Sequence, residues 1–212
     1  MEVFIVNIKG MSLGPIGTNC YIIYEGQEAL IIDPGAEADN IIEFLQQNNL
    51  QVNAILLTHA HFDHIGALEE IRMQTGAKVY IHESEMSWLS DPAKNGSRKL
   101  PGNEITASAA DFTLVPGNMQ LGSFNCTILH TPGHSPGSVS FVFEKDQFIV
   151  SGDILFNQGI GRTDLYGGSM EELEKSIRNE LYTLDDNYTV YPGHGPETTI
   201  RMEKQRNPFV RV

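Results

Sequence analysis

A chain of 212 residues makes one ordinary domain rather than two, with a core able to bury roughly 70 % of the unfolded surface without disulfides. Its 41 % hydrophobic and 19 % charged residues exclude a disordered or fibrous chain. Acidic groups outnumber basic ones 27 to 14, a net charge of −13, which excludes nucleic acid and anionic membrane as main partners because both need a basic footprint.

The opening MEVFIVNIKG places an acid at position 2 ahead of a short apolar run, so neither a signal peptide nor a membrane span is expected there. Short β-branched and aromatic runs predict strands at 3–8, 20–24 and 29–33, the last closed by the turn Asp33-Pro34-Gly35. Cys20 and Cys126 lack CxxC spacing, which fits a reducing compartment, and a cytoplasmic protein is expected. Apolar residues at 41, 44 and 45 predict a helix over 39–48, and the nearly all-apolar 52–57 predicts a strand covered on both faces. A helix over 65–75, stopped by Gly76, and a strand at 78–82 follow. From 90 to 110 the pattern dissolves into Asp-Pro, Asn-Gly and Pro-Gly pairs, a long loop of the kind that acts as a lid or is mobile. Strands resume at 112–115, 124–130, 138–143 and 147–150. Ser169-Met-Glu-Glu172 has capping-box spacing ahead of a helix carrying Leu173, Ile177 and Leu181. A strand at 189–191 and a helix over 198–206 close the chain. Strand runs interspersed with helices, twice over, predict an α+β fold of two sheets with helices on their outer faces, as a single domain over 1–212.

The stretch His59-Ala-His61-Phe-Asp63-His64 puts four metal-competent side chains into six positions. On this composition about 0.0004 such windows arise by chance, so a helix start with Asp63 as N-cap and idle surface histidines is a poor account. In an extended segment 59, 61 and 63 point one way, while His64 turns aside with the incoming helix, offering ligands to two neighbouring positions. His134 in TPGHSPG, Asp153 in SGD and His194 in PGHGP repeat one theme, a ligand-competent residue in a tight turn after a strand. Each alone is an ordinary turn residue; together with the cluster they make five His and two Asp at strand ends. His82 and His130 lack that context and are given structural roles, and Cys20 that of a small buried hydrophobe.

These motifs, with Asn19-Cys-Tyr21 and Asp33-Pro-Gly35, resemble the metallo-β-lactamase fold superfamily, and within it the short glyoxalase II-like (hydroxyacylglutathione hydrolase-like) branch. The resemblance implies an αβ/βα sandwich of two mixed sheets. It implies one metal site of His59, His61 and His134, a second of Asp63, His64 and His194, and Asp153 bridging them. Such nitrogen and oxygen sets suit two divalent ions, Zn first, with Fe or Mn also possible. Asp33 is expected to orient a ligand histidine through its other ring nitrogen, or else to make an Asx turn before Pro34.

The activity so implied is binuclear hydrolysis, a metal-bridging hydroxide attacking the carbonyl of a small acyl-thioester. The resemblance also narrows the substrate. Metallo-β-lactamases lack an aspartate in the bridging role, so Asp153 argues against penicillin hydrolysis. Ile154, Leu155 and Phe156 stand where lactonases place a tyrosine, and His61 stands where flavodiiron proteins have glutamate. Arg162 falls where larger glyoxalase II enzymes place a substrate-binding lysine and could hold a carboxylate; a structural Arg162–Asp164 pair is the alternative. Only 18 residues follow His194, so the C-terminal helical domain that grips glutathione in those enzymes is not expected. Lys94, Arg98 and Lys99, or Arg201, Lys204, Arg206 and Arg211, supply either anion contacts or a solvated basic face. Two rivals stand beside this reading: a mononuclear Fe(II) persulfide dioxygenase, and a non-catalytic metal-binding or adaptor protein on the same fold.

Overall fold

Along Thr18–Glu25, Tyr21 and Ile23 point to one side of the strand and Cys20 and Ile22 to the other, and all four are buried. A strand with apolar residues on both faces must be covered on both faces, which requires layers above and below its sheet. The computed structural model, which describes residues 6–99, 101–102 and 104–211, supplies them.

The first sheet runs β1 (Asn7–Leu13), β2 (Thr18–Glu25), β3 (Glu28–Ile32), β4 (Gln51–Leu56), β5 (Lys78–His82) and β6 (Phe112–Leu114) in spatial order. It is antiparallel as far as β3 and parallel from β3 to β6. The helices α1 (Ala38–Gln47), α2 (Phe62–Ile65) and α3 (Leu68–Thr75) belong to its crossovers. In the second sheet β7 (Gly117–Leu121), β8 (Phe124–His130), β9 (Val139–Phe143) and β10 (Phe148–Gly152) form an antiparallel meander. A ribbon of β11 (Leu155–Phe156) and β12 (Gly159–Ile160), then α4 (Met170–Ser176), precede β13 (Thr189–Pro192), parallel to β10. The edge strand β14 (Thr198–Thr199) and α5 (Ile200–Arg206) follow.

Three apolar clusters fill the layers. Tyr21, Ile23, Leu30 and Leu56 from the first sheet meet Ile128, Phe141, Phe143 and Val150 from the second. On the outer side of the first sheet, Ile22, Ile31, Ile55 and Val79 pack with Ile41, Leu45, Leu68 and Ile71. On the outer side of the second, Val142, Ile149 and Val190 pack with Leu173, Ile177, Leu181 and Ile200. The result is the αβ/βα sandwich of two mixed sheets.

Several elements depart from expectation for local reasons. Part of the strand predicted at 3–8 lies outside the described residues, and β1 occupies Asn7–Leu13, paired to β2 from Asn7↔Tyr24 to Leu13↔Thr18. The helix predicted over 65–75 is two helices separated at Gly66 and Ala67. There the 33–35 turn presses on the chain: a Cβ at Gly35 would lie 1.9 Å from Asp63 O, one at Gly66 2.3 Å from Gly35 O. Ala67 N instead donates to Pro34 O at 3.0 Å. β7 is an edge strand without a predicted counterpart: Met119 and Leu121 do alternate inward, but Gly117, Asn118 and Gln120 are exposed and the run has no β-branched residue. Ser169 caps α4 by accepting from Glu172 N at 3.3 Å, and the helix runs on as a π-turn over Ile177–Leu181. Thr198 and Thr199 are strand rather than helix. The 90–110 segment is held by buried Asn95, whose Nδ2 donates to Trp88 O and Ile105 O at 3.2 and 2.9 Å. No helix among the described residues is long and apolar enough to cross a membrane.

Candidate metal centre

Strand direction gathers the site. β8 and β10 are both antiparallel to β9, and β13 is parallel to β10, so the three end at the same edge of the second sheet. His134, Asp153 and His194 lie in the turns leaving β8, β10 and β13. The loop after β4 brings His59 and His61 to that edge, fastened by Val139 N donating to Thr58 O at 2.9 Å. Asn19 N donates to Gly193 O at 2.7 Å and ties the two sheets together there. α2 begins at Phe62, earlier than predicted, so Asp63 and His64 share a helical turn rather than an extended segment. Gly193 is required by close approach, since a Cβ there would lie 2.0 Å from Asp153 Oδ1.

All seven ligand candidates converge. One nitrogen each from His59, His61 and His134 lie within 4.8 Å of one another, and so do ligand atoms of Asp63, His64 and His194. Asp153 stands between the two sets: Oδ1 is 3.4 Å from His64 Nε2, and Oδ2 is 3.6 Å from His134 Nε2 and 3.5 Å from His194 Nε2. Asp63 Oδ2 lies 3.2 Å from His194 Nε2 and 3.4 Å from His64 Nε2.

Hydrogen bonds behind the histidines decide which nitrogen faces inward. His64 Nδ1 donates to Asp33 Oδ2 at 2.9 Å, and His134 Nδ1 donates to Arg162 O at 2.8 Å. Thr58 Oγ1 donates to Asp33 Oδ2 at 2.6 Å, which leaves it to accept from His59 Nδ1 at 3.0 Å. The Nε2 atoms of His59, His64 and His134 therefore all point into the cluster. Asp33 and His59 with His64 form a third close triad, but the Asp33 oxygens are occupied by Thr58 and His64. Asp33 thus backs the histidines and sits with φ 54°, a strained setting for a non-glycine residue.

Three buried polar atoms among the described residues have no hydrogen-bond partner: His59 Nε2, His64 Nε2 and Asp153 Oδ1. Leaving such groups unpaired costs about 1–3 kcal/mol each. His61 Nδ1 also faces His134 Nε2 at 2.8 Å, two ring nitrogens aimed at one point. A divalent cation satisfies every one of these atoms, so the residues present fit the metal that the motifs imply.

The electrostatics divide the same way. Burial, with the neighbouring histidines, holds His59 well below its ordinary pKa, and burial with His134 takes His61 to about 3. Burial also lowers His134. For His64, burial is outweighed by the carboxylates of Asp63, Asp153 and Asp33, which hold it well above the usual range. Burial is likewise overcome at His194, raised to about 9 by its contacts with Asp153 and Asp63. Asp63 falls to about 2 as His64 outweighs desolvation, and Asp153 falls well below its ordinary value for the same reason. One half of the cluster is neutral imidazole; the other is an ionised carboxylate–histidine set.

Two supporting residues were not foreseen. Fully buried Glu85 accepts from Ala60 N at 2.6 Å, Gly137 N at 2.7 Å and Ser135 Oγ at 2.5 Å, joining the loops that carry His59, His61 and His134. In sequence it reads as one more acid in Glu83-Ser-Glu85, with no signal of burial. Thr58 does carry a signal, a hydroxyl wedged between an apolar strand and the histidine cluster. Arg162 lines the cavity over the cluster, yet its guanidinium holds Asp164 with two bonds of 2.7 Å; its backbone carbonyl is what touches His134. His82 and His130 stack on each other at 4.4 Å; His130 Nε2 bonds Pro136 O, and neither joins the cluster.

This fold and cluster define a metal-dependent hydrolase scaffold, and the chain belongs to the metallo-beta-lactamase superfamily, whose family model matches residues 13–194. Among curated relatives, it is 47 % identical over 203 residues to the probable metallo-hydrolase YqgX of Bacillus subtilis, covering 95 % of this chain and 96 % of that one. It is 35 % identical over 208 residues to the hydroxyacylglutathione hydrolase GloC of Haemophilus influenzae, covering 97 % and 98 %. Among solved structures, BLEG-1 B3 metallo-beta-lactamase superposes with a TM-score of 0.94 at 47 % identity, covering 97 % of this chain and 100 % of that one. TTHA1623 in a di-iron-bound form superposes with a TM-score of 0.84 at 35 % identity, covering 95 % and 100 %.

Proposed function

We propose that the chain is a binuclear metal-dependent hydrolase of small acyl-thioesters. The observation that carries this reading is the position of Asp153, whose Oδ2 lies between His134 of one set and His194 of the other while Oδ1 faces His64, with the unpartnered Nε2 atoms of His59 and His64 beside it. His59, His61 and His134 would hold one ion and Asp63, His64 and His194 the other, with Asp153 shared between them. When bound, such ions polarise an acyl carbonyl and bring the pKa of water toward about 7.

The chain's own residues do the rest. Asp33, Thr58 and Glu85 keep the ligand atoms aimed without rearrangement, so little reorganisation is needed at the moment of reaction. A cavity of about 370 Å³ opens onto the cluster, with Phe62, Leu165 and Tyr166 along its walls to exclude water from the reacting carbonyl. Outside the ligand candidates, the described lining residues offer the proton donors Lys94, Lys99 and Tyr166 but no carboxylic acid or histidine to protonate a leaving group. A thiolate, with an ordinary pKa of about 8.5, leaves without one. That favours a thioester over an amide. Similarity to the hydroxyacylglutathione hydrolase GloC supports the same choice.

A second reading is β-lactam hydrolysis, favoured by the likeness to BLEG-1 and opposed by Asp153 between the ligand sets. The test is metal content per chain after purification without chelator, followed by a panel of acyl-thioesters and a chromogenic cephalosporin. Two equivalents of Zn, Fe or Mn with thioester turnover is the expected result. Turnover of the cephalosporin alone selects the second reading. One equivalent of Fe, with oxygen uptake on a persulfide, overturns both in favour of a dioxygenase.

A further inference from the structure

The two candidate ligand sets are fastened by different residues. The loops carrying His59, His61 and His134 are joined through Glu85. Asp63 and His64 come from α2, beside the first sheet, and His194 from the turn after β13 in the second. This set spans both sheets and needs a fastener of its own. Thr18 stands at that junction. It closes the β1–β2 hairpin as the partner of Leu13. The turn between them is tight, with Gly14 and Gly17 at φ 70° and 69° and Gly17 N donating to Gly14 O at 3.3 Å. The hairpin thus fixes where Thr18 lies.

Thr18 touches both halves of the set. Its hydroxyl donates to Asp63 Oδ2 at 2.7 Å, and its backbone forms an isolated antiparallel bridge with His194. Asn19 extends that bridge: its N–H donates to Gly193 O at 2.7 Å, and its Nδ2 donates to Pro192 O and Gly195 O, both at 2.9 Å. Asp63 Oδ2 is the same oxygen that lies 3.2 Å from His194 Nε2 and 3.4 Å from His64 Nε2. An ionised carboxylate only accepts, with about two lone-pair sites on each oxygen. The hydroxyl takes one site on Oδ2 and keeps the carboxylate from turning, which leaves the other site for an ion beside the two imidazoles. A buried threonine can satisfy its hydroxyl on a neighbouring carbonyl. Thr18, buried itself, instead reaches 45 residues along the chain to a candidate ligand.

We propose that Thr18 is a positioning residue for the second metal ion: its hydroxyl holds the Asp63 carboxylate and its backbone holds the His194 turn, so that both ligands meet His64 across the boundary between the sheets. The proposal rests on the binuclear reading above and adds that the two ions have separable supports, Glu85 for one and Thr18 for the other. Thr18 is not among the residues lining the cavity over the cluster, so its effect reaches the reaction only through the ion.

The test is titration of Zn²⁺ and of Cd²⁺ into the metal-free protein, read by calorimetry and by cadmium NMR. With Asp153 shared, one set offers three nitrogens and one oxygen and the other two of each, so the two cadmium ions resonate apart. Thr18→Val keeps the size of the side chain and removes the hydroxyl. It should weaken the site of Asp63, His64 and His194 about 10–100-fold and leave the site of His59, His61 and His134 at its parent affinity. Thr18→Ser keeps the hydroxyl and should bind both ions as the parent does. Glu85→Gln should give the opposite pattern, with the three-nitrogen site weakened and the other kept. Should Thr18→Val not fold, Thr18→Ala set against Thr18→Ser removes the same hydroxyl from a smaller side chain. Unchanged affinities in Thr18→Val, equal loss of both ions, or a Thr18→Ser variant as weak as Thr18→Val overturns the proposal. A parent protein that takes up only one ion overturns the binuclear reading and the proposal with it. Two ions and the selective loss, without thioester turnover, support the role of Thr18 and overturn only the substrate assigned above.

Discussion

Asp33 Oδ2 accepts from His64 Nδ1 at 2.9 Å while Asp33 Oδ1 accepts from Thr58 N at 2.8 Å. Thr58 Oγ1 adds a third bond and passes the constraint on to His59. One carboxylate thereby sets the tautomer of a histidine in each ligand set. Asp33→Asn tests this. Asparagine tolerates the positive φ, but its amide replaces one acceptor with a donor. Metal affinity should fall about 10–100-fold, measured by competition with a chromophoric chelator, while the circular dichroism spectrum of the fold stays unchanged.

Glu85 joins the His59–His61 loop to the His134 loop through separate oxygens, Oε2 to Ala60 N and Oε1 to Gly137 N. Burial pushes its carboxyl up, against the three hydrogen bonds that favour the ionised form. In Glu85→Gln one backbone N–H must face an amide NH₂, at a cost of about 1–3 kcal/mol. Thermal unfolding should come roughly 2–10 °C earlier. Metal content should drop from two equivalents toward one, because only the set of His59, His61 and His134 is loosened. An unchanged stoichiometry with lowered Tm would assign Glu85 to stability alone.

The metal-free protein should show a stability maximum near pH 6.5. His61, at about 3 when folded, takes up its proton more readily on unfolding, so stability rises with pH up to the ordinary histidine value of about 6.5. Asp63, at about 2, contributes stability above its ordinary pKa that is lost as pH falls toward 2. His194, at about 9, contributes in the opposite sense: its stabilisation is full below about 6.5 and lost as pH rises through 9. Scanning calorimetry of chelator-treated protein from pH 4 to 10 reads the maximum directly. A monotonic rise to pH 10 contradicts the charge distribution.

Metal loading at pH 7 should release protons, since His64 and His194 are held protonated in the metal-free cluster while His59, His61 and His134 are not. The enthalpy of titrating Zn²⁺ into the metal-free protein should therefore depend linearly on buffer ionisation enthalpy, with a slope of about two protons when both ions bind. A slope near zero removes the charged half of the cluster.

Phe141 is fully buried between the two sheets, remote in kind from the ligand candidates. Phe141→Ala should lower stability by about 3–5 kcal/mol, measured by urea unfolding of the metal-loaded protein, without changing metal stoichiometry in the folded fraction.

Some of this was decided within a few residues of chain. The nearly all-apolar run 52–57 already asks for a strand covered on both faces, and the His59–His64 cluster with three short turn motifs names every ligand candidate that the structure gathers. Both are legible because apolar patterning and ligand chemistry are carried by neighbours in sequence. What brings the other ligand candidates around Asp153 is the common direction of β8, β10 and β13, which ends their turns on one side of the sheet. The break at Gly66 comes from the turn at Gly35 pressing on it, and Glu85 reaches Ser135 across 50 residues. Arg162 likewise turns its charge to Asp164 and gives His134 only its carbonyl. Periodicity encodes which face a side chain occupies, whereas burial of a lone carboxylate, the aim of a ring nitrogen and the ends of a helix depend on atoms brought near only by folding.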